Sequence, residues 1–274
     1  MAQTIEEKAR KFVALHERPG AFVIPNPWDA GSARLLAGLG FEALATSSGA
    51  CAGVLGRRDG RVSRAEAIAH AKAIVDATDL PVAADLENGF GDTPENAAMT
   101  IRDAAAVGLV GGSIEDSSGK PEQPIYDADH ALRRIEAAVA ATRALPTKFL
   151  LTARAENFIR GNPDLADTIR RLKAYEKAGA DVLFAPGLPD LAAIKEVCAN
   201  LERPFNFMVG IKGRSFTVAD LAAAGVKRIS LATSLYRAAM TGLVDAAREV
   251  KDGGTFGYLD RSIPTPDLNA LIKV

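Results

Sequence analysis

The chain is poor in the side chains that most often build metal and nucleophile sites. It has 2 cysteines and 3 histidines in 274 residues. Cys51 and Cys198 lie far apart without metal-ligand spacing, which excludes a zinc framework or a disulfide scaffold. Two free thiols suit a reducing compartment, and a cytoplasmic location is expected. His16, His70 and His130 are too few and too scattered for a histidine-based metal site. No apolar run approaches the roughly 20 residues of a membrane span. The polar start, Met1-Ala-Gln-Thr-Ile-Glu-Glu-Lys8, lacks the apolar stretch of a secretion signal. A net charge of −1 gives no reason to expect nucleic acid or an anionic membrane as partner.

What is present is an ordinary globular balance, 48% hydrophobic and 24% charged, in a chain long enough for a sizeable core. Ile5, Ala9, Phe12, Val13 and His16 fall at helical spacing over residues 5–16. A strand–helix pattern then repeats. The expected strands are 21–24, 43–46, 82–84, 111–115, 149–153, 181–184, 205–208 and 228–231. They are apolar almost throughout, as strands covered on both faces are. Several of the helices between them end in glycine, at Gly38, Gly108, Gly179 and Gly225, the usual C-terminal stop. Eight such units predict an α/β fold, a (β/α)8 TIM barrel. An open doubly wound sheet would carry a glycine-rich phosphate turn after its first strand. Pro25-Asn-Pro-Trp-Asp29 stands there instead. One barrel domain over 1–274 is expected, with a C-terminal extension from about 251 that packs on a neighbouring subunit or the barrel base.

Barrel chemistry is expected at the C-terminal ends of the strands. The third strand ends in Asp85 and Glu87, which alternation points to the same side. Two acids at a buried strand end repel unless a cation sits between them, and Mg2+, or Mn2+ in its place, is the simplest such cation. A solvated acidic turn is the alternative. Asp92-Thr-Pro-Glu95 then opens the next helix. The other strand ends offer Trp28 and Asp29, Ser47, Ser48 and Gly49, the more distant Asp59, then Glu115 and Asp116, Arg154 and Glu156, and Asn206. Asp85, with Glu87 and Glu115 in reach directly or through water, forms the expected metal set. Ser47, Ser48, Gly49 and the forked guanidinium of Arg154 suit a substrate carboxylate. Trp28 offers an apolar wall. Each residue also has a plainer reading: core packing for Trp28, a helix cap for Asp29, a small buried hydrophobe for Cys51, a structural bridge to Glu115 or Glu156 for Arg154, and salt-bridge partners for Asp116 and Glu156.

At these residues the chain resembles the isocitrate lyase/phosphoenolpyruvate mutase superfamily. The stretches that carry the likeness are Pro25-Asn-Pro-Trp-Asp29, Thr46-Ser-Ser-Gly49, Asp85-Leu-Glu-Asn-Gly-Phe-Gly91, Ser113-Ile-Glu-Asp116, Ala153-Arg-Ala-Glu-Asn157 and Gly225-Val-Lys-Arg-Ile-Ser230. The resemblance implies a (β/α)8 barrel, a Mg2+-bound 2-oxo acid or enolate, and a homo-oligomer, a tetramer whose subunits exchange C-terminal helices. It also implies Asp85 as the direct metal ligand, Glu87 and Glu115 as water-mediated ones, and Asp59 as the acid facing a mobile lid. The sequence departs from the family at that lid. The Lys-x-Cys-Gly-His motif of the lyases is replaced by Ser117-Ser-Gly-Lys-Pro-Glu-Gln-Pro124, which argues against isocitrate and methylisocitrate cleavage. Lys120 matches a lysine of the phosphonomutase lid, but the asparagine that accompanies it is missing. Asp-Leu-Glu-Asn also replaces the common Asp-x-Asp-Thr of the metal motif.

The expectation is a Mg2+-dependent enzyme that breaks a carbon–carbon bond at C3 of an oxaloacetate-like acid, with Asp59, Lys120 and Arg154 as the candidate catalytic residues. Phosphonopyruvate hydrolysis or phosphonomutase chemistry is the alternative reaction, and a non-catalytic 2-oxo acid binding protein the alternative class. Residues 116–126 are expected to be an aperiodic active-site lid.

Overall fold

The computed structural model describes residues 3–213 and 216–272. Met1 and Ala2 of the polar N-terminus and the last two residues of the C-terminal extension lie outside them. A first helix α1 (Ile5–Glu17) precedes β1 (Phe22–Ile24), α2 (Ala30–Gly38), β2 (Leu44–Ala45), α3 (Ser48–Val54) and α4 (Arg64–Asp76). Then come β3 (Val82–Asp85), α5 (Pro94–Ala106), β4 (Gly111–Glu115), the pair β5 (Ser117–Lys120) and β6 (Gln123–Ile125), and α6 (Ala128–Arg143). The rest runs β7 (Leu150–Arg154), α7 (Leu165–Ala178), β8 (Val182–Phe184), α8 (Leu191–Ala199), β9 (Phe205–Met208), α9 (Val218–Ala223), β10 (Arg228–Ser230), α10 (Ser234–Arg248) and α11 (Thr265–Leu271).

Eight strands pair in parallel in the order β1-β10-β9-β8-β7-β4-β3-β2. The two outer strands meet through Ala45 N–H donating to Pro25 C=O at 3.1 Å, so the sheet curls round to the expected barrel. Side chains fix the helix starts: Thr4 with Glu7, Ser63 with Glu66 and Thr217 with Asp220 form reciprocal caps. Asp29 caps α2 by accepting from Ser32 N–H at 2.7 Å, its plainer reading.

The helix α1 closes the base. Phe12, fully buried, packs with Ala9, Leu15, Phe22, Ile24, Ala83, Val110 and Leu150. This explains the glycine that opens β4. A Cβ on Gly111 would stand 2.9 Å from Phe12 Cε1 and 3.0 Å from the Leu150 carbonyl.

After Thr46, residues 48–54 form the short helix α3. Its small residues give no helical periodicity, and its formation depends on packing against the barrel rim. One local expectation changes. The segment 116–126 is not aperiodic: β5 and β6 make an antiparallel hairpin, with Ser117 opposite Ile125. A ribbon with both faces polar shows no alternation to read. Thr93 caps α5, with Pro94 next to it, as the stretch Asp92-Thr-Pro-Glu95 leads one to expect.

The end of the chain behaves differently from the rest. No residue of α10 or α11 is buried. Leu243, Phe256 and Leu259 are each about 60% exposed, an apolar surface that the chain itself leaves uncovered.

Phe12→Ala should open a cavity at the barrel base and cost about 3–5 kcal/mol, the usual range for a buried phenylalanine. Urea denaturation would measure it. A loss under 1 kcal/mol would mean that α1 is not holding the base together.

Candidate active site

The register of the sheet sets the site. Glu115 pairs with Arg154, Arg154 with Phe184, Phe184 with Asn206, and Asn206 with Arg228. These residues ring a cleft of about 1520 Å3 at the C-terminal ends of the strands. Asp85, Glu87, Ser47, Ser48, Gly49 and Asp59 also line it.

Arg154 is the centre. It is buried, and its Nη1 lies 3.0 Å from Asp85 Oδ1. Its Nη2 lies 3.2 Å from Glu115 Oε2 and 2.9 Å from Glu156 Oε1. The Phe184 ring covers the guanidinium carbon at 4.9 Å. Burial works against its charge, but Glu156, Glu115 and Asp85 outweigh burial and raise its pKa. Arg160 adds a second cation, 3.3 Å from Glu115 Oε1. Glu115 itself is pushed well up, first by burial and then by Glu156.

The turn after β3 is strained where it meets the site. Glu87 and Phe90 have φ of 47° and 56°, a region that side-chain-bearing residues rarely occupy. Asp85 Oδ1 accepts from Glu87 N–H at 3.2 Å, and its Oδ2 accepts from Ser48 N–H at 3.2 Å. The N-terminus of α3 therefore faces the acids, and a side chain on Gly49 would come within 3.3 Å of Asp59 Oδ2. Burial, then the neighbouring Asp85 and Asp59, push the Glu87 carboxyl up to about 7.

Two expected residues stand elsewhere. Trp28 does not line the cleft; it meets Tyr236 of α10 edge-on, with ring centroids 5.7 Å apart. Lys120 is exposed on the hairpin, and its Nζ lies 2.7 Å from Asp92 Oδ2. Asp116 serves packing. It takes Tyr175 Oη at 2.8 Å and Arg171 Nη1 at 3.1 Å, deep beneath the site. Sequence reasoning missed Arg160, Phe184 and Arg228. Phe184 was readable as a strand-end residue, whereas Arg160 lies on a short 3-10 turn and Arg228 at the start of its strand.

The donors suit a hard divalent cation. They are carboxylates, without thiol or imidazole. Among the described residues no three acidic, histidine or cysteine side chains gather closely enough to chelate an ion together. Asp85, Glu87 and Glu115 thus line one cleft without forming a single chelating cluster. Glu87, raised first by burial and then by the neighbouring acids, is where added positive charge would relieve repulsion.

Residues 12–251 match the sequence profile of the family described as phosphoenolpyruvate phosphomutase. The chain belongs to that family, within the isocitrate lyase/phosphoenolpyruvate mutase superfamily. A crystal structure of a Burkholderia cenocepacia J2315 protein, provisionally described as a lyase/mutase, superposes with TM-score 0.96 at 50% identity, covering 98% of this chain and 97% of that one. The 2,3-dimethylmalate lyase of Eubacterium barkeri is 29% identical over 262 residues, 91% of this chain and 89% of that enzyme. An oxaloacetate acetylhydrolase bound to its product oxalate aligns with TM-score 0.87 at 25% identity, over 97% of this chain and 94% of that one.

Without metal, ionising Glu87 should weaken the fold. Its folded pKa lies above the unfolded value, so stability present below about pH 4.5 declines as pH rises through about 7. Discounted for partial exposure, the effect is on the order of 1–2 kcal/mol. Melting in EDTA from pH 5 to 8 should fall less steeply for Glu87→Gln than for wild type; parallel curves would remove Glu87 from the account.

Proposed function

We propose that the chain is a cytoplasmic, divalent-cation-dependent enzyme that cleaves a carbon–carbon bond at C3 of a small, oxaloacetate-like 2-oxo acid. The observation that carries this reading is the buried Arg154 guanidinium, set among Asp85, Glu115 and Glu156 on the wall of a deep cleft. It cannot lose its proton there, so it offers a permanent charge in a fixed direction.

The substrate carboxylate would lie beside Arg154, against the start of α3, with Ser47, Ser48 and Gly49 lining that wall. Asp85 would hold Mg2+ or Mn2+ directly, and Glu87 and Glu115 would hold it through water. When bound, the ion would supply Lewis acidity at the 2-oxo group. Asp59, beside the α3 end, would move a proton at the cleft mouth. Asn206 would contact the rest of the substrate. The hairpin β5–β6 would act as a lid excluding water, with Lys120 exchanging Asp92 for the anionic ligand as it closes.

Phosphonate chemistry has less support, since no lid asparagine accompanies Lys120. The uncovered apolar surface of α10 and the tail supports an oligomer in which this segment packs on another copy, as in a subunit exchange. Light scattering should then return a multiple of 28.8 kDa; a 28.8 kDa particle at micromolar concentration would end that reading.

With Mg2+, a panel of oxaloacetate, 2-alkylmalates and phosphonopyruvate should show turnover of a carbon–carbon substrate, abolished by EDTA and by Asp85→Ala. Phosphate release would favour the phosphonate reaction, and binding without turnover would leave a binding protein. Arg154→Lys should weaken substrate binding by about 1.5–3 kcal/mol, the range of a charge-assisted hydrogen bond. Unchanged affinity in a destabilised variant would return Arg154 to a bracing role.

A further inference from the structure

Arg154, Arg160 and Arg228 all line the cleft, but they differ in how firmly they are held. Arg228 is buried and donates to two neutral oxygens, Asn206 Oδ1 and Thr152 Oγ1, each at 2.8 Å; among the described residues it meets no acid. Arg154 is buried and locked, with Nη1 on Asp85, Nη2 on Glu115 and Glu156, and Nε on Glu156 at 3.0 Å. Arg160 serves two of the same acids loosely. Its side chain is 40% exposed, its Nη2 lies 3.3 Å from Glu115 Oε1, and its Nε stands 3.5 Å from Glu156 Oε2. The second contact is beyond the usual length of an N–H···O bond, and Glu156 Oε2 has no hydrogen-bond partner among the described residues.

The backbone that carries Arg160 is well seated. It forms the 3-10 turn Asn157–Arg160 after β7. Asn157 is fully buried and donates through Nδ2 to Asp167 Oδ2 at 2.8 Å. Arg160 N–H donates to the Glu156 carbonyl at 3.1 Å. A Cβ on Gly187 would stand 2.5 Å from Ile159 Cγ2, so the turn lies tight against the loop after β8. Freedom therefore resides in the Arg160 side chain rather than in its backbone.

The charge of Arg160 reaches the whole acidic side of the cleft. It lowers Glu87, Glu115 and Glu156 alike, against the stronger upward push of burial. Glu115 is also one of the acids assigned above to the divalent cation. A guanidinium on Glu115 and a divalent cation beside it repel each other, and more strongly than in water because the site is partly shielded from solvent. Arg160 is free to yield. Arg154 would still hold Glu115 Oε2 at 3.2 Å and Glu156 Oε1 at 2.9 Å, so neither acid would lose its last cation.

We propose that Arg160 is a second anion-binding residue of the cleft, a counter-ion that is exchanged on binding. It rests on Glu115 while the cleft is empty. When the divalent cation takes Glu115, the guanidinium turns to the anionic ligand, keeping its charge throughout. The cation has to displace it and the anion gains it, so one side chain couples the two binding events. This rests on the 2-oxo acid reading above, and it adds a residue that rewards a negative ligand only after the cation is in place.

The test is calorimetry on the full chain, first with Mg2+ alone and then with oxalate at saturating Mg2+. Oxalate is a planar stand-in for the enolate of a 2-oxo acid. Arg160→Gln removes the charge and leaves the backbone bonds of the turn in place. It should tighten Mg2+ alone by about five-fold, through lost repulsion, and weaken oxalate by about ten-fold, through a lost charge-assisted contact. Arg160→Lys should return both constants towards wild type. The opposite signs separate exchange from a bracing role, which would weaken both ligands or neither. Arg160→Met, which keeps the stem, serves in the same way if Arg160→Gln does not fold. Mg2+ affinity unchanged or weaker in the folded neutral variant, or oxalate affinity unchanged or tighter, would overturn the exchange. Wild type that binds no Mg2+, or no oxalate with Mg2+ present, would instead overturn the 2-oxo acid reading, and the exchange with it.

Discussion

A guanidinium held among carboxylates at the mouth of the barrel is the interaction on which the site depends. Arg154 joins the ends of β3, β4 and β7 and the turn that follows β7 through Asp85, Glu115 and Glu156. Removing one partner of such a buried network typically costs 3–5 kcal/mol, because the remaining charges are left unpaired. The acids exceed the cations around Arg154, with Glu87 and Asp59 adding to the excess. The same cluster thus braces the strand ends and keeps a surplus of negative charge facing the cleft. Bracing and ligand recognition are two consequences of one arrangement rather than competing roles.

The strained turn after β3 is supported from outside the barrel. Arg134 of α6, almost wholly buried, donates to the carbonyls of Asn88 and Gly91 and stacks on Tyr126 at 4.6 Å. Tyr126 in turn donates to Asp92 Oδ1 at 2.7 Å, and Asp92 takes Lys120 of the hairpin. The acidic turn and the β5–β6 hairpin therefore share one polar chain. Asp92, just before the α5 cap, is the point where the hairpin is tied to the turn. The exposed Lys120–Asp92 pair is a weak tie, as surface ion pairs are.

The barrel, its strand order and most of the cleft were legible in the sequence. Parallel strands covered on both faces must be apolar, and the helices between them need caps and stops, so the pattern leaves a visible repeat. Position at strand ends puts Asp85, Glu115 and Arg154 on one rim, whereas Glu87 reaches the cleft from the positive-φ turn beyond β3 rather than by strand alternation. The same rule failed for Trp28, because it locates a residue after a strand but not the direction of its side chain. Here α10 supplies Tyr236 as the partner that draws the indole away from the cleft. The hairpin and α3 were missed because polar or small residues carry no periodic signal.

The sequence by itself determined what is local and periodic: which segments are strands, where helices begin and end, and which ionisable residues sit at strand ends. Only the tertiary structure decided pairings between residues distant along the chain. Arg154 meets Asp85 across 69 positions, and Arg228 meets Thr152 across 76. Closure of the barrel brings these groups together, and the low dielectric inside it makes the presence or absence of a counter-charge matter. Two arginines indistinguishable as letters thus become one matched cation and one unmatched cation. The difference lies in which strands stand opposite them, which no local pattern records.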